Sequence, residues 1–318
     1  MPNGSELLVI VGASGFIGRH LVDRAAQRPE LRIRLLTRQR PSAFAEEAGV
    51  EVVRGDLLEP ATLTGLLEPG CVVVNLAYLA GGTAGDNLAA MANLAEACAR
   101  QRVRRLLHCS TAVVVGRTGA SVIDEQSACR PWDDYERTKL AVEELLFSRA
   151  AEGFECVVLR PTAVFGAGGR NLRKLADEVA AGGRLANYLK GCLYGRRRMN
   201  LVGVGQVVGA ILFLAATTAE VDGEVFIVAN DDTAMNNYLD LQRFLMRELG
   251  AKPFPLPVVP LPAWVLALLL RLTGRPNVNP HRSYRSGRLA DLGCRKGPAF
   301  AEELAQFVAW YRRSRRPV

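Results

Sequence analysis

Residues 7–11 form an unbroken apolar run that ends at Gly12, and beyond it the period changes: Phe16, Ile17, Leu21, Val22 and Ala25 fall on one helical face. A run apolar on both sides is the pattern of a strand inside a parallel sheet. The switch to spacings of three and four predicts strand, turn and helix in that order. The alternating segment 32–36 and the largely apolar segments 51–53, 71–76, 105–110, 156–159 and 225–229 read as further strands. Between them, 86–101 carries Leu88, Met91, Leu94, Ala95 and Cys98 at helical spacing, and Tyr135 opens another helix continuing through Leu140, Val142, Leu145 and Leu146. Short apolar strands alternating with amphipathic helices predict an α/β protein built on a doubly wound parallel sheet of the Rossmann type.

The first turn carries Gly12, Gly15 and Gly18 at intervals of three. Glycine removes the side chains that would hold a ligand off, so backbone N–H groups and the positive end of the helix dipole can face a pyrophosphate. Glycines also gather in βα turns for packing alone. Their place here, between a first strand and a first helix, favours a dinucleotide. The second strand ends at Thr37-Arg38, where the ribose of such a ligand would lie. An acid there suits the 2′-hydroxyl of NAD and an arginine the 2′-phosphate of NADP, so Arg38, with Arg40 close by, favours NADP and leaves NAD possible. A solvated arginine at a strand end is the plainer alternative. Asp56, in Gly55-Asp56-Leu57, is either an acceptor for the adenine amino group or a helix N-cap.

Ser110 and Thr111 stand at the carboxyl end of the 105–110 strand, the edge of a doubly wound sheet where ligands lie. His108 falls inside that strand and is assigned to packing. Tyr135 and Lys139, four residues apart, project from one helical face. A phenol titrates near pH 10 and needs a neighbouring ammonium to favour its ionised form, which Lys139 is placed to supply while also donating to ribose hydroxyls.

GASGFIG, GDL, the Asn87/Asn93 pair, ST before VVVG, YERTK and LRPTAVFG, taken in this order, resemble the extended short-chain dehydrogenase/reductases, the NAD(P)-dependent sugar epimerase/dehydratase group. The resemblance runs through the closing segment 289–312. It implies that Tyr135 is the acid/base, Lys139 its partner and Thr111 the hydroxyl that bonds the reacting oxygen. It likewise implies cofactor contacts at Gly12, Ser14, Gly15, Phe16, Ile17, Gly18, Asp56, Leu57, Ala77, Asn87 and Pro161. Asn171-Leu172 resembles the segment that meets the nucleotide of a nucleotide sugar, with Arg196 to Arg198 and Arg282 as candidates for its phosphates. The implied domains are a dinucleotide-binding part at 1–165, completed by about 201–230, and a smaller, discontinuous substrate-binding lobe at 166–200 and 231–318. A homodimer through a four-helix contact of the 86–101 and Tyr135 helices is implied as well.

Three departures stand out: Val115 where tyrosine is common, LVGVGQ (201–206) where a more polar segment is usual, and Ala163 where many relatives carry an asparagine for the diphosphate. Ala112-Val113 after Thr111 lacks the acid pair of the 4,6-dehydratases, so a dehydration is disfavoured. The expected activity is hydride transfer on a sugar linked to a nucleotide or lipid diphosphate, by epimerisation or by oxidation and reduction. A 3β-hydroxysteroid-dehydrogenase-like enzyme on an apolar alcohol, and a non-catalytic NADPH-binding protein, are the alternatives.

At 318 residues and 49% hydrophobic content the chain can bury a large core, and its net charge of +8 is spread too evenly to predict nucleic-acid binding. Seven cysteines without CxxC spacing predict reduced thiols, no metal and a cytoplasmic location. The start of the chain does not read as a signal peptide. Residues 254–272 are the most apolar stretch, but prolines up to Pro262 leave about ten helical residues, too few for a span of about twenty. A packed helix is the expectation. A membrane-surface contact of Trp264 and Leu266 to Leu270, assisted by Arg271 and Arg275, is the disfavoured alternative.

Overall fold

The computed structural model describes residues 6–38, 49–151, 153–272 and 279–315; Arg40 and Arg275 lie outside them. The chain runs β1 (Glu6–Val11), α1 (Phe16–Ala25), β2 (Leu31–Thr37), β3 (Val50–Arg54), β4 (Val72–Asn75), α2 (Ala84–Gln101), β5 (Arg105–Cys109), β6 (Val122–Ile123), α3 (Asp134–Ala150), β7 (Glu155–Pro161) and β8 (Ala163–Phe165). There follow α4 (Arg173–Ala181), α5 (Arg184–Tyr194), β9 (Leu201–Gly203), α6 (Val204–Ala216), β10 (Val225–Val228), α7 (Tyr238–Glu248), α8 (Ala263–Leu272), β11 (Ser283–Tyr284), α9 (Arg288–Asp291) and α10 (Phe300–Ser314).

Seven strands form one sheet in the order β10-β7-β5-β4-β1-β2-β3, and every pairing within it is parallel. The chain winds outward from β1 to β3 on one side and from β4 to β10 on the other. Its order therefore reverses between β1 and β4, and the crevice outside their carboxyl ends is where such sheets take ligands. Alternate residues of the strands face opposite layers. Leu8, Ile10, Ile33 and Leu35 pack with α1 and α6, while Val9, Val11, Val73 and Leu106 pack with α2 and α3. A third core joins α4, α7 and α10 around Phe165, Leu172, Leu241, Leu304 and Phe307.

Two expected elements differ in their limits. The strand expected at 156–159 continues to Pro161, because Ile227 and Val228 of β10 pair with Arg160 and Pro161. The LVGVGQ segment divides: Leu201–Gly203 pairs with β8, and α6 starts at Val204. No side chain of its own caps α6. Instead Glu303 of α10 accepts the Gly205 N–H at 2.5 Å, and a Cβ on Gly203 would stand 1.5 Å from Glu303 Oε2. The departure in this segment thus makes room for a carboxylate delivered from the far end of the chain.

Candidate active site

The glycine turn is shaped by its neighbours. Gly12 has φ +86° and approaches β4 so closely that a Cβ would lie 2.8 Å from the Ala77 nitrogen. A Cβ on Gly18 would stand 2.4 Å from the Gly12 carbonyl oxygen, so this third glycine serves the close packing of α1 on the turn. Between the turn and the end of β2 lies a cavity of about 220 Å³ lined by Gly12, Ser14, Gly15, Arg38, Asp56, Leu57, Ala77 and Tyr78. Its walls suit the adenosine half of a dinucleotide. Asp56 is not the cap of a helix: its Oδ1 accepts the Leu58 N–H at 2.9 Å, in a side-chain turn facing the cavity.

A larger cleft of about 950 Å³ shares Ser14 with it and continues over Phe16, Ile17, Ser110, Thr111, Tyr135 and Pro161 to Arg170, Asn171 and Trp310. Ser110 is buried and its Oγ has no protein partner, an orphaned hydroxyl on the wall of the cleft. Glycines without room for a Cβ, a helix N-terminus and a vacant hydroxyl are together a fit for an NAD(P)-type cofactor.

Thr111 and Tyr135 both line this cleft. Each comes from a different element: Thr111 follows β5, and Tyr135 sits in the first turn of α3, which Asp133 caps by accepting the Glu136 N–H at 2.8 Å. A hydroxyl and a phenol side by side at the sheet edge can hold and protonate one carbonyl oxygen. The phenol is shifted upward, and Lys139 is not among the causes. Burial, reinforced by Cys109 and Tyr78, pushes Tyr135 up to about 12, although 40% of the residue is exposed. Lys139 is itself 5% exposed, donates to the Cys109 carbonyl at 3.1 Å and is shifted downward by desolvation. Its Nζ lies 5.3 Å from the centre of the Tyr78 ring.

Other expected contacts are placed differently. Asn87 is 3% exposed; its Oδ1 accepts the Leu79 N–H at 2.9 Å, and its Nδ2 donates to the carbonyls of Leu79 and Thr83. It shapes the loop after β4, with its polar atoms turned to backbone. Arg282 is 3% exposed and donates to the carbonyls of Gly116 and Thr118, at 3.1 and 2.7 Å, which removes it from any phosphate in the cleft. Arg198 donates to the Asp231 carbonyl and does not line the cleft. Asn171 does line it, with Nδ2 donating to the Val164 carbonyl at 2.8 Å.

His108 is buried as assigned. Asn75 Nδ2 lies 3.0 Å from its Nδ1, and because the amide nitrogen donates, the ring proton belongs on Nε2. Burial lowers this imidazole well below its ordinary range, so it is neutral.

Residues overlooked in the sequence are Arg19, His20, Arg170 and Trp310, all lining the cleft, whereas Tyr78, at the open end of its strand, lines the smaller cavity. Trp310 arrives from α10, and nothing in its spacing links it to the glycine turn.

The chain belongs to the NAD dependent epimerase/dehydratase family, whose model matches residues 8–229. Among curated relatives it is similar to the 4-hydroxy-2-methyl-3-oxo-4-farnesyl-3,4-dihydroquinoline-1-oxide ketoreductase of Stigmatella aurantiaca. Identity is 29% over 168 residues, 50% of each chain. It is 27% identical over 246 residues to the 2-alkyl-3-oxoalkanoate reductase of Shewanella oneidensis, covering 70% of this chain and 61% of that one. These matches span one half and about three fifths of the relatives' lengths. The fold is that of the UDP-glucuronic acid 4-epimerase from Bacillus cereus, solved in complex with NAD: TM-score 0.74, 16% identity, 97% of both chains covered. No group of three or more His, Cys, Asp or Glu side chains among the described residues is arranged to hold a metal.

Proposed function

We propose that the protein is a cytoplasmic NAD(P)-dependent oxidoreductase that interconverts a ketone and a secondary alcohol on a diphosphate-linked sugar. The observation that carries this reading is that Thr111 and Tyr135 stand together on the wall of a cleft that begins at Ser14 of the glycine turn. When bound, the nicotinamide ring gives or takes the hydride. Tyr135 Oη gives its proton to the carbonyl oxygen during reduction and takes it back from the alcohol in the reverse direction. Thr111 Oγ1 donates a hydrogen bond to the same oxygen and fixes it beside the phenol. Lys139, held between α3 and the end of β5 by its bond to the Cys109 carbonyl, would donate to the ribose hydroxyls of the bound cofactor. Ala112 is buried and Val113 carries no acid, so elimination of water has no second proton donor at that place.

With Arg198 and Arg282 engaged elsewhere, Arg170 and Arg19 are the cations that face the cleft and would meet a diphosphate. Arginine suits the role because its planar fork holds two phosphate oxygens at once. Arg38 favours NADP. A homodimer through α2 and α3 completes the reading, and light scattering that finds only monomer at micromolar concentration counts against it.

A second reading, a 3β-hydroxysteroid-dehydrogenase-like enzyme on an apolar alcohol, is favoured by Ala163 at the wall of the cleft, where it offers a diphosphate no hydrogen bond. The names of the two curated relatives, both reductases of oxo compounds, point the same way. Oxidation of NADPH in the presence of UDP- and dTDP-linked 4-keto sugars, set beside a 3-oxo sterol and a 3-oxo fatty acid, decides between them. Turnover of the apolar ketones alone overturns the sugar assignment.

A further inference from the structure

Eight of the thirteen large hydrophobic residues exposed among the described residues belong to one part of the lobe: Leu185 and Leu189 of α5, Leu256, Val259 and Leu261 before α8, and Trp264, Leu268 and Leu272 within α8. They are held together by contacts rather than by sequence. Arg184 at the start of α5 donates to the Pro253 and Phe254 carbonyls at 2.7 and 3.3 Å. Tyr188 Oη donates to the Pro257 carbonyl at 3.3 Å, and the Leu261 N–H donates to the Cys192 carbonyl at 2.8 Å. The proline-rich segment therefore runs alongside α5 in the same direction. On α8, Trp264, Leu268 and Leu272 recur every fourth residue and form one stripe, 49% or more exposed, whereas Leu266 is buried at 4%.

The charge on this part of the chain has one sign. Neither 179–219 nor 249–290 contains an Asp or Glu, while together they hold eleven Lys and Arg. Arg184, Arg196, Lys252 and Arg271 are exposed beside the apolar residues. A folded surface normally mixes the two signs, and its large apolar patches mark sites of contact. An apolar stripe with exposed Arg184, Arg196, Lys252 and Arg271 near it in the chain is complementary to a surface that offers hydrocarbon beneath a layer of negative charge.

We propose that α5, the 253–262 segment and α8 form a docking face for an anionic phospholipid bilayer. α8 lies along the membrane surface with Trp264, Leu268 and Leu272 in the headgroup region, and the exposed Lys and Arg meet lipid phosphates. At ten residues α8 does not span a membrane, and no helix among the described residues is long and apolar enough to do so. The contact is peripheral, and it is independent of which alcohol the cleft takes.

The test is co-sedimentation of the full chain with vesicles of phosphatidylcholine alone and of phosphatidylcholine with phosphatidylglycerol. The expected result is binding to the mixed vesicles, weakened by added salt. Trp264→Ser with Leu268→Ser, and separately Lys252→Glu with Arg271→Glu, lower the affinity more than about tenfold. All four positions are exposed, and an unchanged melting temperature confirms folding of each variant. Absence of sedimentation of the wild-type chain overturns the proposal. So does equal binding to phosphatidylcholine alone, or a concentration-dependent self-association abolished by the Ser variants, which would assign the face to a second copy.

Discussion

The ring of Tyr78 meets that of Tyr135 edge-on, with centroids 5.1 Å apart and planes at 82°, and it lies beneath the Lys139 ammonium. An aromatic pair of this geometry is worth ~0.5–1.5 kcal/mol beyond the area it buries. Tyr78 is thus the brace that fixes the phenol in the cleft. Tyr78→Ala is expected to lower kcat roughly two- to tenfold, while Tyr78→Phe keeps it. Steady-state kinetics with both variants checks this, and equal rates for Ala and Phe would remove Tyr78 from the site.

Tyr135→Phe is expected to lower turnover by roughly two to four decades with little change in cofactor binding. With the phenol pushed up to about 12, it stays protonated through the neutral range, so ketone reduction does not fall between about pH 6 and 9 through loss of this proton. A pH–rate profile of the reduction, with the Phe variant beside it, tests both parts. Wild-type turnover in the variant would place the proton donor elsewhere.

Arg38 lines the smaller cavity together with Asp56 and Gly12. A charge-assisted contact with a 2′-phosphate contributes ~1.5–3 kcal/mol, so Arg38→Ala should weaken NADPH by roughly ten- to a hundredfold and leave NADH nearly unchanged. Fluorescence titration of both cofactors measures the difference. Equal affinities in the wild type would sink the NADP assignment.

Glu303 is 3% exposed, and desolvation raises it from 4.5 to about 7 despite the Gly205 N–H that it accepts. The folded state therefore prefers the protonated form. The stability this contributes is fully present below about pH 4.5 and is lost as pH rises through about 7. Glu303→Gln should gain on the wild type by ~1–3 kcal/mol between pH 5 and 8. Melting curves across that range give the sign, and a gap that is constant or closes with pH contradicts it.

Gly203→Ala should be destabilising, because its Cβ would stand 1.5 Å from Glu303 Oε2. Loss of the cap and displacement of α10 place the cost at ~2 kcal/mol or more. Chemical denaturation measures it, and a change under ~0.5 kcal/mol would mean that α10 moves aside freely.

The sequence by itself determined the sheet, the glycine turn and the positions of Thr111, Tyr135 and Lys139 along the chain. Those features are local: a strand buried on both faces must be apolar throughout, a turn crossing above β4 at φ +86° must be glycine, and one helical face must present Tyr135 and Lys139 together. Tertiary structure alone decided what each polar group spends its hydrogen bonds on. Arg282 and Arg198 are turned to backbone carbonyls by segments more than thirty residues away, and Asn87 to the loop it closes. The direction of the Tyr135 shift and the carboxylate that caps α6 were settled the same way, since desolvation and long-range capping depend on what packs nearby in space. Neighbours in space follow from packing of the whole chain, and spacing along the sequence carries no trace of it.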